Sequence, residues 1–475
     1  MEYEVIIGLE VHAELSTKSK IFCSCTTEFG GDVNTHICPI CIGMPGTLPV
    51  LNKKVVEYAV RAGLATNCSI SEYSKMDRKN YFYPDLPKAY QISQYDIPLC
   101  YDGYIDIDVN GTEKRIGITR IHIEEDAGKL IHDDKGEASF IDYNRSGVPL
   151  IEIVSEPDMR SAEEVKAYLE SLKAILEYIN VSDCKMQEGS FRADVNLSVR
   201  KKGENKLGTR TEMKNLSSFR AVVRAIEGEA ARQIEEIEAG RVIVQETRRW
   251  DEGKNMSYSM RSKEEARDYR FFPEPDLLPV EVDEKWREEI KNTLPELPRD
   301  RKKRYINDFS LPEYDASILT SSKMLADFFE ETAIKSNNAK AASNWVMGEV
   351  LRVLNEKQME VQEIPFTAEY LAELITLIDK GVISGTIGKT VFEEMFNSGK
   401  NPETIVEEKG LKVINDQEEI LNIVSEVLKK NVKSVEDYKN GKRKAFGFLV
   451  GQVMKETKGK ADPKIVNEIL KKELE

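Results

Sequence analysis

The sequence has no apolar run approaching the ~20 residues that a membrane span requires. Its start, Met1-Glu-Tyr-Glu-Val5, lacks the basic-then-apolar make-up of a secretory leader. No G-x-x-x-x-G-K-[ST] loop is present, so any use of ATP would not follow the P-loop pattern. With only four histidines (His12, His36, His122 and His132) and no G-x-S-x-G elbow, a serine-hydrolase reading is poor. A Ser-Lys amidase signature is missing as well, so any ammonia needed would come from elsewhere. Basic balance is also absent. A formal net charge of -15 argues against indiscriminate nucleic-acid binding, though not against a local basic patch. The seven cysteines are an odd number with four in tight pairs, which suits metal binding or free thiols better than a disulfide framework. Hydrophobic content of 40% with 32% charged residues is ordinary for a soluble globular protein, and the expected location is cytoplasmic.

What is there falls into three stretches, as 475 residues allow. Residues 1–295 read as strands with a few long helices. Strand candidates are 4–15, 116–124, 150–154, 191–199 and 209–215. A capping box, Ser161-Ala-Glu-Glu164, opens a helix with Val165, Tyr168, Leu169, Leu172, Leu176 and Ile179 on its apolar face. A second helix is expected over about 219–239. Dominant strands with segregated helices predict an α+β fold around a largely antiparallel sheet. A proline-rich passage over 272–298 closes this region. Residues 296–402 read as an all-α helical domain, and 403–475 as a small α-helical tail domain. The tail carries Lys442, Arg443, Lys444, Lys455, Lys458 and Lys460 among glycines, a candidate RNA-contact module in an acidic protein.

Two constellations bear chemistry. Cys23 and Cys25, then Cys38 and Cys41, can surround one zinc ion tetrahedrally as two short knuckles joined by a loop. Four thiolates leave no open coordination position, so the expected role is structural; His36, between the pairs, can replace a cysteine. The second constellation lies on the strands. Glu10, His12 and Glu14 alternate, as do Arg192, Asp194, Asn196 and Ser198, and Arg210, Glu212 and Lys214, so each set projects from one face. Glu124, Glu125 and Asp126 close another strand. Glu152 interrupts the apolar run Leu150-Ile-Glu-Ile-Val154, and a buried carboxylate needs a partner. Each close carboxylate pair repels by about 4 kcal/mol at an effective dielectric near 20. Protonation or a divalent cation must relieve that repulsion, and oxygen-rich ligation with one imidazole suits magnesium or manganese. A metal on a carboxylate-lined sheet is a common means of binding nucleotide phosphates.

Longer strings add a resemblance. Gly8-Leu-Glu-Val-His-Ala-Glu-Leu15, Cys38-Pro-Ile-Cys-Ile-Gly-Met-Pro-Gly-Thr-Leu-Pro-Val-Leu-Asn52, Arg78-Lys-Asn-Tyr-Phe-Tyr-Pro-Asp-Leu-Pro87, His122-Ile-Glu-Glu-Asp-Ala-Gly-Lys129, Asp142-Tyr-Asn-Arg-Ser-Gly-Val-Pro-Leu-Ile-Glu152 and Met260-Arg-Ser-Lys263 resemble the GatB family, a subunit of tRNA-dependent amidotransferases. The resemblance spans essentially the whole chain; Arg267, where histidine is frequent, is a mild departure. It implies a cradle domain with a glutamine synthetase-like sheet. There ATP would phosphorylate the side-chain carboxylate of Glu-tRNA(Gln) or Asp-tRNA(Asn), and ammonia would displace the phosphate. Glu10, His12, Glu125 and Glu152 are the first-choice magnesium ligands that the resemblance implies. Glu124, Asp194 and Glu212 are further ligands or ATP-site residues, Lys79 a phosphate contact, and Cys23, Cys25, Cys38 and Cys41 the zinc site. It also implies a heterotrimer with the amidase subunit GatA and the small subunit GatC, and tRNA contacts from the helical and tail domains. Competing readings are a glutamine synthetase-like ligase acting on a free amino acid, and a zinc-stabilised tRNA-binding scaffold without chemistry.

Overall fold

The computed structural model describes residues 2–474 except 134–137, 263–268, 414–416 and 458. Lys263, Arg267 and Lys458 therefore lie outside the described residues. The chain forms two compact units, Met1–Leu297 and Pro298–Glu475.

The first unit is built on a nine-stranded sheet. In chain order its strands are β1 (Tyr3–Glu14), β2 (Ser69–Ile70), β3 (Cys100–Val109), β4 (Thr112–Glu125), β5 (Pro149–Ser155), β6 (Phe191–Lys201), β7 (Thr211–Lys214), β8 (Glu246–Asp251) and β9 (Met256–Ser262). Their order across the sheet is β9-β8-β7-β6-β1-β5-β4-β3-β2. Every neighbour is antiparallel except β7 and β8, which run parallel. The N-terminal strand is thus central, flanked by strands that follow it by well over a hundred residues. Alternation works as expected: Leu9, Val11 and Ala13 are buried, whereas Glu10, His12 and Glu14 on the other face are only partly so.

Three helices, α1 (Lys53–Ala65), α2 (Ala162–Tyr178) and α3 (Phe219–Glu238), pack on the apolar side of the sheet. Val165, Tyr168, Leu169, Leu172 and Leu176 of α2 join one continuous core with Val195 and Leu197 of β6. Ser161 caps α2 by accepting from the Glu164 N–H at 3.2 Å. Glu164 does not complete a capping box; its carboxylate accepts instead from the Arg160 N–H at 2.6 Å. The buried carboxylate of Glu229 ties α3 to the sheet, accepting from Thr211 Oγ1 at 2.9 Å, Arg232 Nη2 at 2.7 Å and Gln233 Nε2 at 3.0 Å.

The described part of the second unit is helical. Its apolar residues form two clusters, one drawing on Tyr305 through Val406 and the other on Ile420 through Leu474. One π-helical turn, Val346–Val350, joins the α-helical segments Ala339–Trp345 and Leu351–Lys357. Among the described residues no helix is long and apolar enough to cross a membrane.

Candidate active site and metal centres

The face of the sheet away from α1, α2 and α3 carries the polar members of β1, β4, β5, β6 and β7. Register brings His12 opposite Glu152 on one side and Arg192 on the other, and Glu152 opposite His122. His12, Glu124 and Glu152 converge so that one ligand atom from each lies within 4.8 Å of the others. His12 Nε2 is 3.5 Å from both Glu124 Oε1 and Glu152 Oε2, and His122 Nε2 is 3.3 Å from Glu152 Oε2 and 3.7 Å from Glu124 Oε2. Most of these separations exceed good hydrogen-bond lengths. Ser93 Oγ holds Glu124 Oε2 at 3.1 Å.

Electrostatics in this group are mutual. Burial alone would lower the His122 pKa, but the charges of Glu152 and Glu124 outweigh it and raise the value to about 9. Burial would raise Glu152, and the two imidazoles instead hold its carboxyl well below the usual range. Glu124 is also held low against burial, by His122, by the charge of Lys79 and by His12. Lys79, on the short strand Asp77–Asn80, therefore addresses the same cluster; its Nζ lies 5.0 Å from the Tyr269 ring centre and 5.8 Å from that of Tyr81.

A second acidic group, Glu10, Asp194 and Glu212, brings one carboxylate oxygen from each to within 4.8 Å of the others across β1, β6 and β7. Lys214 sits among its members, pairing with Asp194 and, at 2.8 Å, with Glu212. Asn196 Nδ2 donates to Glu10 Oε1 at 3.0 Å. Burial, with the nearby charges of Glu152 and Glu212, raises the Glu10 pKa. Glu14, the third alternating residue of β1, is pushed up to about 8 by burial and by Asp126.

Glu125 is not brought to either group. Strand alternation turns it away from Glu124, and Lys88 Nζ binds both its oxygens at 2.5 and 2.7 Å while the Ile92 N–H donates to it at 2.9 Å. Sequence reasoning does not single out His122 as a site residue, although its spacing from Glu124 places the two on one strand face. Lys214 shares a strand face with Glu212, as its spacing predicts, whereas Lys88 gives no sequence signal beyond being a single base.

The four cysteines converge as their spacing suggests, with Sγ atoms within 4.8 Å of one another. The Cys38 N–H donates to Cys41 Sγ at 3.1 Å, a backbone-to-sulfur bond that supports a thiolate. His36 is not part of the group. All-sulfur donors fit zinc, while the imidazole-and-carboxylate groups fit a hard divalent cation such as magnesium.

Comparison with known proteins agrees along the full length. The GatB/GatE catalytic domain matches residues 5–288, and the GatB domain matches residues 327–474. The chain is similar to the GatB subunit of the aspartyl/glutamyl-tRNA(Asn/Gln) amidotransferase of Caldicellulosiruptor bescii, with 69% identity over 478 residues covering 100% of both chains. The corresponding subunit from Thermoanaerobacter pseudethanolicus is 65% identical over 474 residues, again covering 100% of both. The one from Clostridium botulinum is 57% identical over 474 residues, covering 100% of this chain and 99% of the other.

Proposed function

We propose, since the chain belongs to the GatB family, that it is the subunit of a glutamine-dependent carbon–nitrogen ligase that amidates Glu-tRNA(Gln), Asp-tRNA(Asn) or both. In this reading a side-chain carboxylate oxygen of the aminoacyl-tRNA attacks the γ-phosphorus of ATP and ADP leaves. Ammonia then attacks the carbonyl carbon of the acyl phosphate, phosphate leaves with the C–O bond electrons, and the amide nitrogen sheds a proton. The observation that carries the reading is the pair of adjoining carboxylate groups on one sheet face, with Lys214 among the members of one and the charge of Lys79 acting on the other.

His12, Glu124 and Glu152 would hold one magnesium ion, and Glu10, Asp194 and Glu212 would supply further acidic ligands. Magnesium, when bound, neutralises phosphate charge and draws electron density from the transferring phosphoryl group. Ser93 orients Glu124, and His122, charged at neutral pH, balances Glu124 and Glu152 when they are otherwise uncompensated. Lys79 supplies a cation for the developing charge on the transferred phosphoryl oxygens. The four cysteines would hold a structural zinc. Ammonia would come from the amidase GatA, with GatC completing a cytoplasmic heterotrimer, and the helical unit would contact tRNA.

The test is amidation by the reconstituted three-subunit complex, supplied separately with each mischarged tRNA. Magnesium-dependent conversion of ATP to ADP and phosphate that requires the mischarged tRNA is expected. ATP turnover with free glutamate alone, or none under any condition, would overturn the reading.

A further inference from the structure

Lys20 is fully buried, with 0% of its surface exposed, in the first cysteine knuckle. Its backbone N–H donates to the Cys25 carbonyl at 2.9 Å. Its ammonium donates to the His36 carbonyl at 2.8 Å and reaches the Tyr143 carbonyl at 3.5 Å. Among the described residues it forms no ion pair with a carboxylate. A fully desolvated cation satisfied only by carbonyl dipoles is costly unless negative charge lies near it.

That charge is close by. Lys20, Cys23 and Cys41 line one cavity of about 150 Å³, together with Lys88 and Glu125. Among the described residues the only carboxylates lining it are Glu125 and Asp276. Glu125 is already held by Lys88, and Asp276 lies near Arg78. Lys20 and Cys41 also close on the same spot of backbone, since a Cβ added at Gly147 would lie 3.6 Å from Cys41 Cβ and 3.7 Å from Lys20 Cδ. Four thiolates around one divalent zinc leave two negative charges, only partly offset by N–H donors such as that of Cys38. Each charge is thus the partner the other lacks.

We infer that Lys20 is the counter-charge of the four-cysteine site, a positioning residue that sets its affinity for zinc. This rests on the cysteine group holding zinc, as proposed above. Lys20→Met removes charge and hydrogen bonds, Lys20→Gln keeps a donor without charge, and Lys20→Arg keeps the charge. Zinc affinity is read on the full-length chain by competition with a chromophoric chelator, and melting temperature is read with and without zinc. Expected are a loss in zinc affinity of roughly tenfold or more for the Met and Gln variants, and a far smaller loss for Arg. The melting-temperature gain on zinc loading should shrink for Met and Gln, with the zinc-free forms melting alike. Wild-type affinity in Lys20→Gln overturns the inference, as does equal destabilisation with and without zinc, which marks a purely structural lysine. If the Met and Gln variants do not fold, Lys20→Arg decides alone: retained tight binding supports the role, and a tenfold loss in a folded protein overturns it. A wild-type chain that takes up no zinc would instead remove the zinc reading itself.

Discussion

His12 and Glu152 face each other directly across β1 and β5, with His12 Nε2 3.5 Å from Glu152 Oε2. The pairing joins a residue near the start of the chain to one far along it, and it places both beside Glu124, with His122 against Glu152. Glu152→Gln keeps the shape and removes one charge from this group. The expected outcome is a fall in ATP-dependent amidation on the order of 100-fold or more, as a few kcal/mol of charge stabilisation is lost. The magnesium concentration for half-maximal rate should rise, and the metal-free protein should also lose stability, because His122 and His12 lose a charged partner. A normal rate with an unchanged magnesium requirement would remove Glu152 from the site.

Glu125 gives a contrasting expectation, because it is buried against Lys88 and not among the metal-site candidates. Glu125→Gln leaves Lys88 with a buried, unpaired charge, a loss of about 3–5 kcal/mol by the usual cost of breaking such a pair. Replacing both residues, as Glu125→Gln with Lys88→Met, should restore most of the stability. Urea unfolding of the full chain for the two singles and the double checks this. Additive losses would show that the two side chains do not act as a pair.

The contrast between these neighbours shows where the sequence stops being legible. Alternation tells which residues share a face within a strand, so Glu10 with His12 and Arg192 with Asp194 are readable. The cysteine quartet is readable too, because both pairs are local. What alternation does not give is register between strands distant in sequence. That His12 meets Glu152 and Glu124, whereas Glu10 meets Asp194 and Glu212, depends on β1 lying between β5 and β6. Among Glu124, Glu125 and Asp126, the buried Ile121 and Ile123 put Glu124 on the opposite face with His122, and what they do not tell is which carboxylates of other strands that face meets. Lys20 and Lys88 are unreadable for another reason, since a buried lysine is spelled like a surface one.

Glu229 supplies a pH prediction away from the site. Burial would raise its pKa, but hydrogen bonds from Arg232, Gln233 and Thr211, with the Arg232 charge, lower it below the ordinary value. A depressed carboxylate contributes stability that is present above its unfolded pKa of about 4.3 and is lost as pH falls through the folded value. Glu229→Gln should therefore cost about 3–5 kcal/mol at pH 7, where Arg232 loses its partner. The gap to wild type should narrow as pH falls below about 4, toward the protonated state that glutamine mimics. Denaturant midpoints of both proteins across pH 3.5–7 measure this, and a gap independent of pH would contradict it.

His122 carries the reverse sign. Its imidazolium is stabilised by Glu152 and Glu124, with a pKa of about 9, so in the metal-free protein it is protonated at neutral pH. A raised histidine contributes stability that is fully present below its unfolded pKa of about 6.5 and is lost as pH rises through 9. A divalent cation at Glu124 and Glu152 competes with that imidazolium for the same two carboxylates and disfavours its charge. Magnesium binding should then release a proton at neutral pH, and affinity should rise as pH increases toward 9. His122→Gln should reduce the proton release to the share of His12, whose pKa the same carboxylates raise and whose imidazole must be neutral to serve as a ligand, and should weaken the pH dependence over that range, leaving binding at neutral pH at least as tight as in wild type. Titration calorimetry of the full chain in two buffers of different ionisation enthalpy reads the proton count directly. Identical heats in both buffers for wild type would show that His122 does not share its charge with the metal ligands.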